Sequence, residues 1–156
     1  MARYVASVDT LWEREPAFDL LADFANIQHW DPSVPRARRL TDEPLEVGAR
    51  FEIDFAMLGR ELPLVYETIE IERPRRVLLR AETPTAVSHD LMTFDVRPGG
   101  GTIVTYDADV SLRGPLRLLD LPFRLVFRQL GDRARDGLRR KLAEVAPVDA
   151  TPVAAS

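Results

Sequence analysis

Cysteine is absent from this sequence, and histidine and lysine are scarce. The 156 residues include no cysteine, two histidines (His29 and His89) and a single lysine, Lys141. Without cysteine the chain can form no disulfide, zinc–thiolate site, iron–sulfur centre or thiol nucleophile. The two histidines are sixty residues apart, which argues against a histidine-rich metal site. No phosphate-cradling glycine loop and no flavin or haem signature is present, so we expect neither a metal nor a cofactor.

Long apolar runs are missing as well. The longest, around residues 118–127, is interrupted by Asp120, Pro122 and Arg124, so no segment is expected to span a bilayer. No apolar signal core follows Met1, and the sequence therefore predicts a cytoplasmic protein. The net charge of −4 and a pI near 5.3 argue against nucleic acid as the main partner.

Length and composition predict one domain with its own core. The chain has 46% hydrophobic residues over 156 positions, enough to bury a core without cross-links. We expect this domain to occupy residues 1–146. Residues 147–156 are small and polar with two prolines, which predicts a disordered C-terminal tail. A monomer and a homodimer are equally compatible with the sequence.

Strand-like alternation occupies most of the first 112 residues. The first strand is predicted at residues 4–8, and a short, arginine-rich edge strand at residues 34–40. Four longer strands follow at 51–57, 61–72, 77–82 and 87–96, and a glycine-rich hairpin turn leads to a last strand at 102–112. Two short helices, at residues 16–24 and 27–30, interrupt the series after the first strand.

The C-terminal segment predicts one long amphipathic helix. After Pro122, apolar residues recur every three or four positions, which gives a continuous stripe. The stripe contains Phe123, Phe127, Leu130, Ala134, Leu138 and Leu142. One helix packed on one sheet face is an α+β architecture. Gly131 and Gly137 each cost the helix about 1 kcal/mol relative to alanine, which indicates that space or close contact is needed there.

At this point the chain resembles the START-like superfamily, in particular its polyketide cyclase/dehydrase and lipid-transport branch, over residues 3–145. The resemblance rests on the order and spacing of seven segments: Ala6–Asp9, Pro16–Asp23, Asn26–Val34, Val47–Ala49, Ile69–Val77, Gly101–Tyr106 and Leu112–Pro115. It implies a helix-grip fold, in which a curved antiparallel sheet of six to seven strands and the long helix enclose an apolar cavity. It does not imply one activity.

The fold that the resemblance implies makes the inward sheet face and the helix stripe the expected ligand-binding surface. Its predicted members are Trp30, Phe51, Ile53, Phe55, Met92, Phe94, Tyr106, Phe127, Leu130 and Ala134. For each aromatic or methionine residue, a purely structural role in the core is the competing interpretation. The hydroxyl of Tyr66 could also point into the cavity, but Tyr66 shares its strand face with Thr68 and Glu70, so an outer, solvated position is expected.

The polar candidates for catalysis are few. His89 shares a strand face with Leu91 and Thr93, opposite to Met92 and Phe94, and is expected to point away from the cavity. His29 lies next to Trp30, near the expected entrance. Asp107 and Asp109 share a strand face opposite to Tyr106, which predicts a solvated pair. The inward-facing set looks almost wholly apolar, so we predict no catalytic residue.

Three functions remain open. Binding or transport of a small hydrophobic molecule, such as a lipid or polyketide, is the first. A polyketide cyclase or dehydratase is the second, and two or more charged or histidine side chains facing the cavity would favour it. An interaction domain without a ligand is the third.

The charge is unevenly distributed along the chain. Residues 1–112 carry 12 basic and 20 acidic side chains, whereas residues 113–141 carry 9 basic and 3 acidic ones. A basic helix can make weak contact with an anionic membrane surface. Alternatively, it complements the acidic remainder of the same domain or is a solvated face.

Overall fold

The computed structural model describes residues 1–42 and 44–146. Within these residues the chain forms one seven-stranded antiparallel sheet, two α-helices and two 3₁₀-helices. The strands are β1 (Ala2–Thr10), β2 (Arg36–Arg39), β3 (Arg50–Met57), β4 (Arg60–Glu72), β5 (Arg76–Glu82), β6 (Ala86–Val96) and β7 (Thr102–Leu112). The helices are α1 (Arg14–Ala22), the first 3₁₀-helix (Phe24–His29), the second 3₁₀-helix (Gly114–Leu119) and α2 (Asp120–Leu142). The predicted α+β architecture is confirmed, and the predicted tail lies outside the described residues.

The sheet is a meander with one displaced strand. Its order is β1-β7-β6-β5-β4-β3-β2, so β1 and β2 form the two edges. The pairing of β4 with β5 is interrupted by a bulge between Thr68 and Glu70. A bulge adds one residue to one strand, so the alternation of side chains between the two sheet faces shifts by one position at the bulge. Even-numbered residues before the bulge and odd-numbered residues after it then point to the same face. Tyr66 and Thr68 are consequently buried, at 3% and 1% exposed, and the expectation of an outer-face Tyr66 is wrong.

The two short helices after β1 cover one part of the inner sheet face. Phe18 of α1 packs edge-on against Phe94 of β6, with ring centroids 5.2 Å apart. Phe24 of the first 3₁₀-helix packs similarly against Phe51 of β3, at 6.4 Å. These aromatic contacts form a dry core that is separate from the space under α2.

The C-terminal half of α2 is fixed to the β1 end of the sheet. Leu138 and Leu142 are buried there, and the hydroxyl of Thr10 donates a hydrogen bond of 2.7 Å to the carbonyl of Leu142. A Cβ atom at Gly137 would overlap the carbonyl oxygen of Trp30, so this glycine permits close contact, as its helix position indicated. A Cβ atom at Gly131 would likewise overlap the ring of Tyr4, at 2.5 Å. The remaining, N-terminal half of α2 spans open space.

Candidate ligand-binding cavity

A cavity of about 520 Å³ lies between the sheet and α2. This volume lies within the range of small-molecule sites in proteins. Its walls are mostly apolar side chains from β1, β3, β4, β7 and α2, together with the second 3₁₀-helix. Among the described residues, no helix is long and apolar enough to cross a membrane.

Six of the ten predicted binding residues line this cavity. They are Trp30, Phe55, Tyr106, Phe127, Leu130 and Ala134. Trp30 and Tyr106 contact each other edge-to-face at 5.8 Å, so one wall is a packed aromatic pair. Whether these six residues bind a ligand stays a prediction.

The other four predicted residues do not line the cavity, and this part of the expectation is corrected. Phe51, Ile53, Met92 and Phe94 are at most 1% exposed and lie in the core beneath α1 and the first 3₁₀-helix. They do point to the inner face of the sheet, as predicted. The inner face is divided, however, between a part covered by the short helices and a part left open under α2, and these four residues occupy the first part.

The cavity runs from the surface to a buried end. Leu58, Leu62 and Leu119 line it and are 81%, 41% and 53% exposed, so they mark its mouth. At the opposite extreme Tyr66, Ser88 and Asp90 line it and are 3%, 7% and 3% exposed. A ligand would therefore pass leucines first and meet polar groups last.

Hydroxyls and a carboxylate form a hydrogen-bonded cluster at the buried end. Tyr66 donates to Ser88 Oγ at 3.1 Å, and Ser88 donates to Asp90 Oδ1 at 3.1 Å. Tyr106 donates to the other oxygen, Asp90 Oδ2, through a short hydrogen bond. Burial raises the pKa of Asp90 to about 6, although the bonds from Tyr106 and Ser88 oppose this shift. Burial also raises the pKa of Tyr106 and of Tyr66 well above the usual range, so both stay protonated donors.

A second carboxyl group lies at the same end. Asp31 follows the first 3₁₀-helix, is 6% exposed and lines the cavity. Its Oδ1 accepts a hydrogen bond of 2.8 Å from the backbone N–H of Ser33. Burial raises the pKa of Asp31 to about 6, against the effect of this hydrogen bond. Asp31 and Asp90 both line the cavity, so the two carboxyls face the same space.

Of the polar groups at this end, Asp31, Ser88 and Asp90 were not predicted from the sequence. Asp90 and Ser88 alternate with His89 and share the face of Met92 and Phe94, so the period of two in β6 already placed them inward. Asp31 had no comparable signal, because it lies in a turn whose direction depends on the packing of the first 3₁₀-helix.

His89, Asp107 and Asp109 lie outside the cavity, as expected, whereas His29 was expected near its entrance. Asp107 is bound by Arg3 on the outer sheet face, with a shortest ion-pair distance of 2.6 Å. Asp109 lies 3.3 Å from the ring of His89. None of these three side chains, nor His29, is part of the cavity wall within the described residues. They therefore have no position from which to act on a bound molecule.

The sequence matches the model of the family described as polyketide cyclase/dehydrase and lipid transport over residues 1–143. The chain belongs to this family, and the resemblance that the sequence segments indicated is confirmed. A comparison with curated proteins finds no match.

Solved structures with the same fold support the helix-grip architecture. A START superfamily protein from Mycobacterium smegmatis superposes with a TM-score of 0.74 at 12% identity, covering 91% of this chain and 97% of the other. The Zhui aromatase/cyclase of a Streptomyces species gives 0.75 at 11% identity, with 90% and 92% coverage. A protein from Thermus thermophilus gives 0.72 at 15% identity, with 90% and 95% coverage. At these identities the likeness concerns the fold alone.

Proposed function

We propose that this protein binds a small, largely apolar molecule in the cavity beneath α2, with the polar end of the molecule at Asp31 and Asp90. The observation that carries the proposal is the mostly apolar cavity of about 520 Å³, whose buried end carries the hydrogen-bonded cluster around Asp90. A protein interior normally leaves few voids larger than a water molecule, so an open space of this size favours binding over an interaction domain without a ligand. The predicted cytoplasmic location and the choice between monomer and homodimer stay predictions.

Ligand screening by thermal unfolding tests this proposal. The panel contains fatty acids, sterols, quinones, alkyl amines and aromatic polyketides. A ligand at about 100 times its Kd should stabilise the native state by about 2.7 kcal/mol, which corresponds to a rise in Tm of roughly 5–10 °C in a chain of this size.

A cavity-filling variant shows whether a ligand that raises the Tm binds in this cavity. Ala134→Phe places a ring in the cavity from α2 and should abolish the shift. Gln129→Phe places the same ring on an exposed position of the same helix and should retain it. Equal shifts in both variants would show that the ligand binds elsewhere, and the absence of any shift across the panel would contradict the proposal.

An enzymatic cyclisation or dehydration is the second candidate. Two carboxyls face the cavity, which meets the criterion that the sequence analysis set for an enzyme. With a pKa of about 6 for Asp31 and Asp90, one group can be ionised while the other holds a proton. The carboxylate would take a proton from a methylene between two carbonyls, the enolate carbon would form a C–C bond to a distant carbonyl carbon of the same molecule, and the carboxylic acid would protonate the resulting alkoxide. Removal of a second proton from the same methylene carbon, with protonation of the new hydroxyl as it leaves, would then form the C=C bond and release one water.

Mass spectrometry of a linear β-polyketone incubated with the protein tests this candidate. The expected product has lost one water, and Asp90→Asn should slow its formation by about 100-fold or more, a typical contribution of general acid–base catalysis. Asp107→Asn removes a carboxylate from the outer sheet face and should leave the rate unchanged. No product with the wild-type protein, or an unchanged rate in Asp90→Asn, would leave binding as the function.

Membrane contact at the mouth is the finer part of the proposal. Leu118, Leu121 and Leu125 are 88%, 73% and 69% exposed and continue the leucines of the mouth. Arg117, Arg124 and Arg128 are interspersed with them and are also exposed. Exposed leucines flanked by arginines suit the interface of an anionic bilayer, where an apolar molecule could enter the cavity without crossing water.

A further inference from the structure

The buried end of the cavity has negative charge without a cation to balance it. Asp31 and Asp90 both face this space, and within residues 1–42 and 44–146 neither carboxyl forms an ion pair with a basic side chain. Carboxylates buried in proteins are normally paired with a positive group. The arrangement is therefore incomplete unless a ligand supplies the positive group.

The cationic side chain that does line the cavity is already engaged. Arg135 reaches the cavity from α2, but its guanidinium lies 3.1 Å from Asp136 and 3.4 Å from Asp132. Asp132 also accepts a hydrogen bond of 2.8 Å from Tyr4. Arg135 therefore belongs to a surface network on the helix and does not neutralise the two buried carboxyls.

Unused hydrogen-bonding capacity occurs at the same end. Ser33 is 6% exposed and lines the cavity, yet its Oγ has no hydrogen-bond partner among the described residues. Beside it, Oδ1 of Asp31 accepts a hydrogen bond from the backbone N–H of Ser33. Buried polar atoms of native proteins nearly always have partners, so an unpartnered hydroxyl that faces a cavity indicates a polar partner from outside the chain.

We infer that the cavity selects apolar molecules that carry a protonated amine over molecules of the same shape that carry a hydroxyl or a carboxylate. This inference rests on the proposed function and names its ligand class. An ammonium group offers three donors and one positive charge, which suits the two cavity-facing carboxyls, the unpartnered Ser33 Oγ and the missing cation together. A carboxylate would instead be placed beside two like charges in a medium of low dielectric constant.

The preference for an amine should depend on pH. Because the carboxyls carry protons below a pKa of about 6, only about a tenth of Asp90 is ionised at pH 5, and nearly all of it at pH 7.5. The amine should therefore bind about tenfold more tightly at pH 7.5 than at pH 5, whereas an alcohol should bind equally at both. The other titratable or polar groups that face this end are Tyr66, Ser88, Tyr106, Ser33, Tyr4 and Arg135, and those with titratable side chains keep their charge across this range.

Calorimetric titration of the full chain with three matched ligands tests the inference. Decylamine, 1-decanol and decanoate share one alkyl chain and differ only in the polar group. At pH 7.5 decylamine should bind at least about tenfold more tightly than 1-decanol, because a charge-assisted hydrogen bond is about twice as strong as a neutral one. Decanoate should bind more weakly than 1-decanol.

Charge-neutral variants attribute the preference to the two carboxyls. Asp31→Asn and Asp90→Asn keep the size of each side chain and should bring the affinity for decylamine close to that for 1-decanol. Asp107→Asn removes one carboxylate from the outer face of the same sheet, where Arg3 binds it, and should keep the full preference. The circular dichroism of each variant verifies that it is folded.

The outcomes separate this inference from the proposed function. If the three ligands bind equally, or decanoate binds best, the proposed apolar cavity stands and the amine preference is refuted. If decylamine is preferred equally in wild type, Asp31→Asn and Asp90→Asn, its ammonium is bound elsewhere and the inference is also refuted. If none of the three binds, the amine preference is refuted, whereas the proposed function is decided by the wider ligand panel.

Discussion

Replacing Asp90 by asparagine should stabilise the protein at pH 8 and have little effect at pH 4. Asp90 is 3% exposed, and burial raises its pKa from 3.8 to about 6 in the folded chain. Between about pH 4 and pH 6 the native state therefore holds a proton that the unfolded state has released. The free energy of unfolding then falls as the pH rises through this window, and the loss is complete above it.

The size of this change in stability follows from the shift in the pKa of Asp90. One pKa unit corresponds to about 1.4 kcal/mol, so a shift of roughly two units costs the wild type about 3 kcal/mol at pH 8. Asparagine is neutral at every pH and avoids this cost. Its amide can still accept one hydroxyl through its oxygen, so the contact with Tyr106 or Ser88 survives. The difference in stability between variant and wild type should thus grow by about 3 kcal/mol from pH 4 to pH 8.

Urea unfolding measured between pH 4 and pH 8 tests this prediction. The two tryptophans, Trp12 and Trp30, are 4% and 5% exposed and report the transition by fluorescence. Asp107→Asn is the control, and because it removes an exposed ion pair with Arg3, it should change stability by at most about 1 kcal/mol. Parallel pH profiles for wild type and Asp90→Asn would refute the argument, since they would mean that Asp90 is equally solvated in both states.

Two further predictions concern α2 and the mouth of the cavity. Gly137→Ala should destabilise the protein by about 1–3 kcal/mol, because the added Cβ would overlap the carbonyl oxygen of Trp30. This cost should exceed the gain from the higher helix propensity of alanine. Equal or greater stability of the variant in urea unfolding would contradict the close contact. The double variant Leu121→Ser, Leu125→Ser should lose most of any binding to vesicles that contain phosphatidylserine, measured by co-sedimentation. Leu11→Ser, which changes a leucine that is 80% exposed outside the cavity wall, should retain it, and equal binding by all three proteins would refute contact at the mouth.

The order and type of nearly all elements could be predicted from the sequence. Period-two alternation defined β3 and β6, and the glycines after Pro98 defined the hairpin between β6 and β7. The three-and-four spacing from Phe123 to Leu142 defined α2. These patterns succeed because each reflects local geometry combined with one buried face.

The face of individual residues was less predictable where local geometry departs from the ideal. Tyr66 was assigned to the outer face because alternation was continued through β4 without the bulge at Thr68 and Glu70. A bulge leaves no distinctive residue in this stretch, so the change of parity becomes visible only in the pairing with β5. For this reason the sequence did not predict that Tyr66 is buried and contributes to the polar cluster.

The division of the inner sheet face into a part covered by the short helices and a part open to the cavity could not be predicted from the sequence either. Met92 and Tyr106 are paired across β6 and β7 in adjacent strands, yet Met92 is in the core and Tyr106 lines the cavity. Which of them meets a helix and which meets open space depends on where α1 and α2 cross the sheet. Strand periodicity encodes only the face, and the cover over each part of that face is a tertiary property.

A crystal structure of the protein with decylamine would show directly whether the cavity beneath α2 is a binding site. We expect density for one alkyl chain in this cavity, with the carbons against Phe127 and Leu130 and the nitrogen within hydrogen-bonding distance of Asp31 or Asp90. A cavity filled by rearranged side chains, or a ligand bound only outside it, would contradict the claim that this cavity is a binding site.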